Sequence, residues 1–366
     1  MFGFLKKKDF SAEVQPAGDT LHVTAGDNLL KAALAAGLDW PHDCRVGSCG
    51  TCKCHLKSGK IKELADFSYV LDGDELDQGM ILACQTRLMS DIVVEVKLGE
   101  GGDHSVGITS IDGEIAQTRQ LTHDILEVTV RLDRPFPHAA EPEVKQHPYR
   151  AGQYADISFP GIDKPRSYSF AKAPENERDK ELTFFVRKVP DGELTGWLFA
   201  EDRVGSRVTV TGPYGSFWLR EGEGPIVCVA GGSGMSSIMA LLEHAANNGC
   251  QRDAVYLFGA RTQKDLYCLD ELKALETAWA ASGGKLQFLP VLSEEPQDSD
   301  WQGLRGMVTE QVAAQSLDWG NAQGYLCGPP PMIDAAIEVL KQQGVGKDDI
   351  HFDKFLDASS IPGGRN

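Results

Sequence analysis

The chain has 366 residues, of which 42% are hydrophobic and 24% charged, and its formal net charge is -17. That length holds two or three ordinary domains, and the acidity argues against a nucleic-acid partner. No apolar run reaches the roughly 20 residues that span a bilayer, so no membrane association is expected.

The opening Met1-Phe-Gly-Phe-Leu-Lys-Lys-Lys8 places its charges after a very short apolar stretch, the wrong order for a secretory signal. A cytoplasmic location is expected, with thiols reduced or metal-bound rather than disulfide-bonded. Residues 1–99 form the first segment. A strand is predicted at 21–24, a helix over 27–37 capped by Asp27 and ended by Gly37, and strands at 52–57 and 91–97. Within it stand Cys44, Cys49 and Cys52, with Cys84 thirty-two positions beyond Cys52. The C-x4-C-x2-C spacing with a distant fourth Cys is the plant-type pattern for a 2Fe–2S cluster. Structural zinc more often takes paired C-x2-C knuckles. Gly47 and Gly50 allow the loop to curl tightly around a cluster. Cys54 falls outside the spacing. The acidic run at 72–77 has Asp77 at the sixth position and Ala83 at the twelfth, where a calcium loop needs Gly and Glu, and reads as a solvated turn.

Residues 106–222 read as short strands broken by Gly and Pro, clearest at 125–132, 154–159 and 182–188, which suggests a barrel or sandwich. Arg166, Tyr168 and Ser169 sit close together here. A guanidinium suits a phosphate, an aromatic ring the face of an isoalloxazine, and a hydroxyl a ring nitrogen. Taken alone, such an Arg and Tyr also fit an ordinary surface strand.

From residue 223 strands at 226–230, 254–258, 287–292 and 324–327 alternate with helices at 236–248 and 266–281, the pattern of a parallel α/β sheet. Gly231-Gly232-Ser-Gly234 follows a strand and opens a helix, where backbone N–H groups can meet a pyrophosphate. It is not the G-x-G-x-x-G fingerprint. Cys327-Gly328-Pro329 makes a tight turn at a strand's C-terminal end, where such sheets bind ligands; a buried Cys ahead of a turn has the same sequence. After the second strand, Arg261 or Lys264 could meet a 2′-phosphate, while Asp265 would disfavour one.

Residues 1–99, with the Cys-Arg-Val-Gly-Ser-Cys-Gly-Thr-Cys loop, resemble a plant-type ferredoxin domain. Arg166-x-Tyr168-Ser169, Gly231-Gly232-x-Gly234 and Cys327-Gly328-Pro329 resemble the motifs of the ferredoxin–NAD(P) reductase superfamily, over residues 106–366. Two positions depart from the usual pattern: Ser236 stands near an expected Pro, and Thr195 stands where Ser is common. The resemblance implies a multidomain α+β and α/β chain. It has a β-grasp ferredoxin domain (1–99), an antiparallel β-barrel FAD domain (106–222) and a parallel α/β NAD(P)H-binding domain (223–366). It places Arg166 on a flavin phosphate, Tyr168 on the ring, Ser169 near flavin N5, Val186 and Lys188 along the flavin, and Thr195 near the pyrophosphate. It places Gly231, Gly232 and Gly234 on the nicotinamide dinucleotide, Arg261 and Asp265 at its adenine ribose, and Cys327, with Gly328 and Pro329, against the nicotinamide. Phe355 belongs to an aromatic tail that can approach the flavin, and a final edge strand is compatible with that. Cys327 and Ser169 are the residues nearest the hydride transfer, and Cys44, Cys49, Cys52 and Cys84 the metal ligands. The implied cofactors are a 2Fe–2S cluster, FAD rather than FMN, and NADH in preference to NADPH.

The domain order resembles the reductase components of bacterial multicomponent oxygenases. It implies electron flow from NADH through FAD and the cluster to a terminal Rieske oxygenase or di-iron hydroxylase, or to an intermediate ferredoxin. Two rivals share much of the sequence pattern: a similar reductase serving a deoxysugar dehydratase, and a non-catalytic redox sensor or electron carrier. A monomer is expected, because a one-electron donor needs its cluster edge exposed.

Overall fold

The computed structural model describes residues 8–42, 45, 47, 50–71, 73–99, 108–135, 148–162, 164–174 and 180–355. The chain divides into two compact units, the first within Met1–Asp103 and the second within His104–Phe355.

The first unit contains β1 (Phe10–Gln15), β2 (Asp19–Val23), α1 (Leu29–Ala35), β3 (Lys53–Ser58), β4 (Ile61–Glu63), α2 (Gly73–Asp77), β5 (Met80–Leu82), β6 (Thr86–Leu88) and β7 (Ile92–Glu95). Its main sheet runs β2-β1-β7-β3-β5, and β4 pairs with β6 apart from it. Alternation decides the buried face: Ala12 and Val14 of β1 point inward and Glu13 outward. The β1–β7 pair is parallel and its neighbours antiparallel, the mixed sheet of a β-grasp domain. Leu29, Leu30, Ala32 and Ala33 of α1 share a core with Trp40 and Val94. The helix cap differs from expectation. Asn28, in extended conformation, accepts from the Lys31 N–H, whereas Asp27 pairs with the Lys31 ammonium at 2.7 Å. Gly37, at φ +79°, ends the turn as expected.

The second unit opens with β8 (Thr109–Gln120), β9 (Ile125–Leu132), β10 (Tyr154–Ser158), β11 (Arg166–Ser169), β12 (Glu181–Arg187), α3 (Glu193–Ala200) and β13 (Arg207–Tyr214). These strands run β11-β10-β13-β8-β9-β12, with antiparallel neighbours. An antiparallel bridge from Phe170 to Phe184 links the two ends, so the sheet nearly closes into a barrel. Val128, Val130, Ile157, Phe184 and Val210 fill it.

The remainder holds β14 (Ile226–Gly231), α4 (Met235–Asn247), β15 (Ala254–Ala260), α5 (Leu269–Ala281), β16 (Leu286–Leu292), β17 (Leu304–Arg305), α6 (Val308–Ala313), β18 (Gln323–Gly328), α7 (Pro330–Gln343) and β19 (Ile350–Lys354). The sheet is parallel throughout, in the order β17-β16-β15-β14-β18-β19. Every residue of central β14 and β18 is buried, which explains their near-continuous apolar sequence. Helix α5 begins later than periodicity suggests. Cys268 sits at φ +54°, outside helical geometry, and a separate turn over Gln263–Asp265 precedes it. Among the described residues no helix is long and apolar enough to cross a membrane.

Candidate active site

In the first unit, Cys52 stands just before β3 and Cys84 in a tight turn before β6, and both are buried. The Cys84 N–H donates to Cys52 Sγ at 3.5 Å. Two cysteines from separate segments are therefore neighbours, and a backbone N–H already faces the Cys52 sulfur. Asn28 does double duty: its oxygen caps α1 while its amide donates to the Cys84 carbonyl at 2.8 Å. Gly50 lies at φ +76°, and a Cβ there would stand 3.1 Å from Val70 Cγ1. Soft, buried thiols in this spacing fit iron–sulfur ligation. Cys44 and Cys49 lie outside the described residues. Cys54 is a core group whose thiol burial pushes up, with the neighbouring Cys52 adding to the shift.

In the second unit, β11 places Arg166, Tyr168 and Ser169 in succession beside β10. Arg166 donates to the Lys164 and Pro165 carbonyls at 2.7 and 3.2 Å. Burial pushes the Tyr168 hydroxyl up, so that ring stays neutral. Ser169 is buried opposite Tyr154. Val186 is a buried strand residue, and the Lys188 N–H donates to the Asp124 carbonyl at 2.7 Å. The Thr195 hydroxyl closes its own loop by accepting from the Val189 N–H at 3.1 Å. A Cβ on Gly192 would stand 2.5 Å from that hydroxyl. Gly192 also precedes α3 without a side-chain cap, leaving the helix's first N–H groups for a phosphate.

The nicotinamide-type motifs meet at a cleft of about 280 Å³ lined by Gly231, Gly232, Arg261, Asp265, Pro329 and Met332 from the α/β part. The barrel adds Asp124 and Arg187 to the same cleft. The glycines are dictated by crowding. A Cβ on Gly234 would come within 2.2 Å of the Cys327 carbonyl, and one on Gly231 within 2.9 Å of Met332 Sδ. No side chain caps the turn that leads into α4, so the first N–H groups there are left without a side-chain partner. Together these features fit a dinucleotide pyrophosphate.

Cys327 is fully buried and its thiol donates to the Ser237 hydroxyl at 3.4 Å. Burial pushes this thiol well up, and Asp353 adds to the effect. Gly328, at φ +139°, fits where a Cβ would meet the Gly231 carbonyl at 2.8 Å, and its own carbonyl accepts from the Phe355 N–H at 2.8 Å. Phe355 directly follows edge strand β19.

Three family models match in sequence order: a 2Fe-2S iron-sulfur cluster binding domain over residues 12–89, an oxidoreductase FAD-binding domain over 113–218 and an oxidoreductase NAD-binding domain over 228–338. The xylene/toluene monooxygenase electron transfer component of Pseudomonas putida is 40% identical, across 96% of this chain and 95% of its own. This chain belongs to the family of iron–sulfur flavoprotein reductase components of oxygenase systems. The propane 2-monooxygenase reductase component of Mycolicibacterium smegmatis is 34% identical, across 93% of this chain and 95% of its own. The Amycolatopsis cytochrome P450 reductase superposes with a TM-score of 0.75 at 29% identity, covering 95% of this chain and 99% of that one. The reductase is an NAD(P)H-dependent oxidoreductase with domains for a 2Fe–2S cluster, FAD and a nicotinamide dinucleotide.

Sequence reasoning missed Asp124, Arg187 and Tyr267 in the cleft and Ser237 behind Cys327. None has a local signature. Each becomes visible only when strands far apart in sequence are laid side by side.

Proposed function

We propose that this reductase oxidises NADH and delivers single electrons to the terminal oxygenase or hydroxylase component of a multicomponent system, Rieske or di-iron. The observation that carries the reading is the cleft itself. Barrel residues Asp124 and Arg187 and α/β residues Gly231, Gly232 and Pro329 line one space, where a nicotinamide can approach a flavin held on β11 and β12. When bound, FAD accepts a hydride and hands on its two electrons singly, and the 2Fe–2S cluster relays them.

Arg166 and the uncapped start of α3 would hold flavin phosphates, Tyr168 would meet the ring and Ser169 its edge. Val186, Lys188 and Thr195 shape the flavin channel. Gly231, Gly232 and Gly234 admit the dinucleotide pyrophosphate, and Arg261 and Asp265 border its adenosine end. Pro329 lines the cleft with Cys327 and Gly328 next to it in the chain, so these three would back the nicotinamide, with Phe355 bonded to Gly328 beside them. Cys44, Cys49, Cys52 and Cys84 bind the cluster. The domains in this reading are 1–99, 106–222 and 223–366. The protein works as a monomer in the cytoplasm, where NADH is supplied.

Cys84→Ser and Arg166→Ala test this scheme. Cys84→Ser should abolish cytochrome c reduction but leave NADH-driven bleaching of the flavin intact. Full cytochrome c reduction in that variant would overturn the order of electron flow. Arg166→Ala should lower the flavin-to-protein ratio after purification, and unchanged flavin content would remove Arg166 from the site.

A further inference from the structure

The charges in the cleft are matched to one another before any ligand enters. Asp124, in the turn between β8 and β9, is held by a 3.0 Å bond from the Thr122 hydroxyl to its Oδ1. Its Oδ2 lies 3.2 Å from Arg187 Nε and 3.7 Å from Arg261 Nη2. The same Arg261 nitrogen donates to Asp265 Oδ1 at 2.9 Å. Both carboxylates are largely covered, at 18% and 14% side-chain exposure, while the two guanidiniums are about half exposed at 41% and 47%. Arg187 reaches over the glycine turn, since a Cβ on Gly232 would stand 3.4 Å from Arg187 Nη1. Among the described residues lining the cleft, Arg187 and Arg261 are the cations and Asp124 and Asp265 the anions.

We propose that Asp124 is a specificity-determining positioning residue: bonded to Arg187 Nε and 3.7 Å from Arg261, it sets a negative charge beside both cations of the cleft, where a 2′-phosphate would seek them. It thereby selects the dinucleotide that lacks one. The inference rests on reading the cleft as the nicotinamide dinucleotide site. A phosphate monoester adds roughly 1.5 to 2 negative charges at neutral pH. At Arg261 it meets Asp265, bonded there, and Asp124, 3.7 Å away, and the repulsion from Asp124 adds to that from Asp265. Asp265 is not the adjustable member of the pair. Its Oδ2 also accepts from the Thr262 N–H and hydroxyl at 2.8 and 3.0 Å, closing the turn before α5. Asp124 differs, because its carbonyl receives the Lys188 N–H and leaves the carboxylate open to change. His123 stands 4.0 Å from both carboxylates and adds charge only when protonated.

Asp124→Asn keeps the side chain's shape and the acceptor for Thr122. Calorimetric titration of the holoenzyme with NAD+ and with NADP+ should show the wild type favouring NAD+. In Asp124→Asn, affinity for NADP+ should rise relative to NAD+ by about tenfold, with a steeper salt dependence. Adding Arg261→Gln should cancel that gain. An unchanged NADP+ to NAD+ ratio in Asp124→Asn, or a gain that survives Arg261→Gln, overturns the role of Asp124. A wild type that binds neither dinucleotide overturns the reading of the cleft, and this inference with it.

Discussion

The Tyr267 hydroxyl donates a 2.8 Å hydrogen bond to the Gly232 carbonyl, fixing the second glycine of the turn between β14 and α4. Tyr267 is itself held edge-on by Phe185 of the barrel and Phe258 of β15, with ring centroids 5.6 and 5.8 Å away. One buried ring thus ties the glycine turn to both halves of the second unit. Tyr267→Phe keeps the packing and removes the bond. The KM for NADH should rise about fivefold with kcat little changed, the equivalent of roughly 1 kcal/mol. Steady-state kinetics with ferricyanide measures this, and an unaltered KM would show that the turn holds its shape without the bond.

Gly234→Ala tests the crowding under that turn. The new methyl would meet backbone atoms of Cys327 at 2.2 and 2.6 Å, and backbone cannot rotate aside as a side chain can. The glycine turn after β14 has to move away from the end of the neighbouring strand β18, at a cost of about 2–3 kcal/mol. Thermal unfolding should show a lower midpoint and titration a weaker grip on NAD+. A wild-type midpoint would mean the sheet opens there without penalty.

His351 predicts a pH dependence. Its ring leans on Tyr325 with centroids 5.0 Å apart, and its buried Nε2 has no hydrogen-bond partner among the described residues. Burial first, and Arg220 second, hold its pKa down to about 4. In the unfolded chain the imidazole titrates near 6.5, so the unfolded state takes up the proton first as pH falls. The stability tied to this residue is therefore full above about pH 6.5 and is lost as pH drops toward 4. His351→Phe should flatten the fall in denaturation midpoint between pH 7 and 5. An equally steep fall in the variant would place the titration elsewhere.

Much of this protein is written locally. The strand at 125–132 and the buried strand ending at Gly231 follow from side-chain alternation and apolar runs, which depend on neighbours two residues away. The first helix is also legible, but its cap is not. Asp27 and Asn28 are both good capping types, and the choice falls on Asn28 because its amide is also anchored to the Cys84 carbonyl, 56 positions away. Likewise the sequence marks Asp265 as an acid near an adenine ribose, while the fold commits it to closing a turn and pairing with Arg261.

The sequence by itself determined the three chemistries, through the spacing of Cys44, Cys49, Cys52 and Cys84, the Arg166-x-Tyr168-Ser169 run and the glycine turn at 231–234. Spacing suffices there because most of each motif, including three of the four cysteines, lies within one short stretch of chain. Only the tertiary structure decided how the cleft is charged and held. Asp124 is 63 positions from Arg187, and Tyr267 is 35 from Gly232. Such partners are chosen by which strands the core brings side by side, since a buried carboxylate or hydroxyl must find its counterpart wherever packing delivers one.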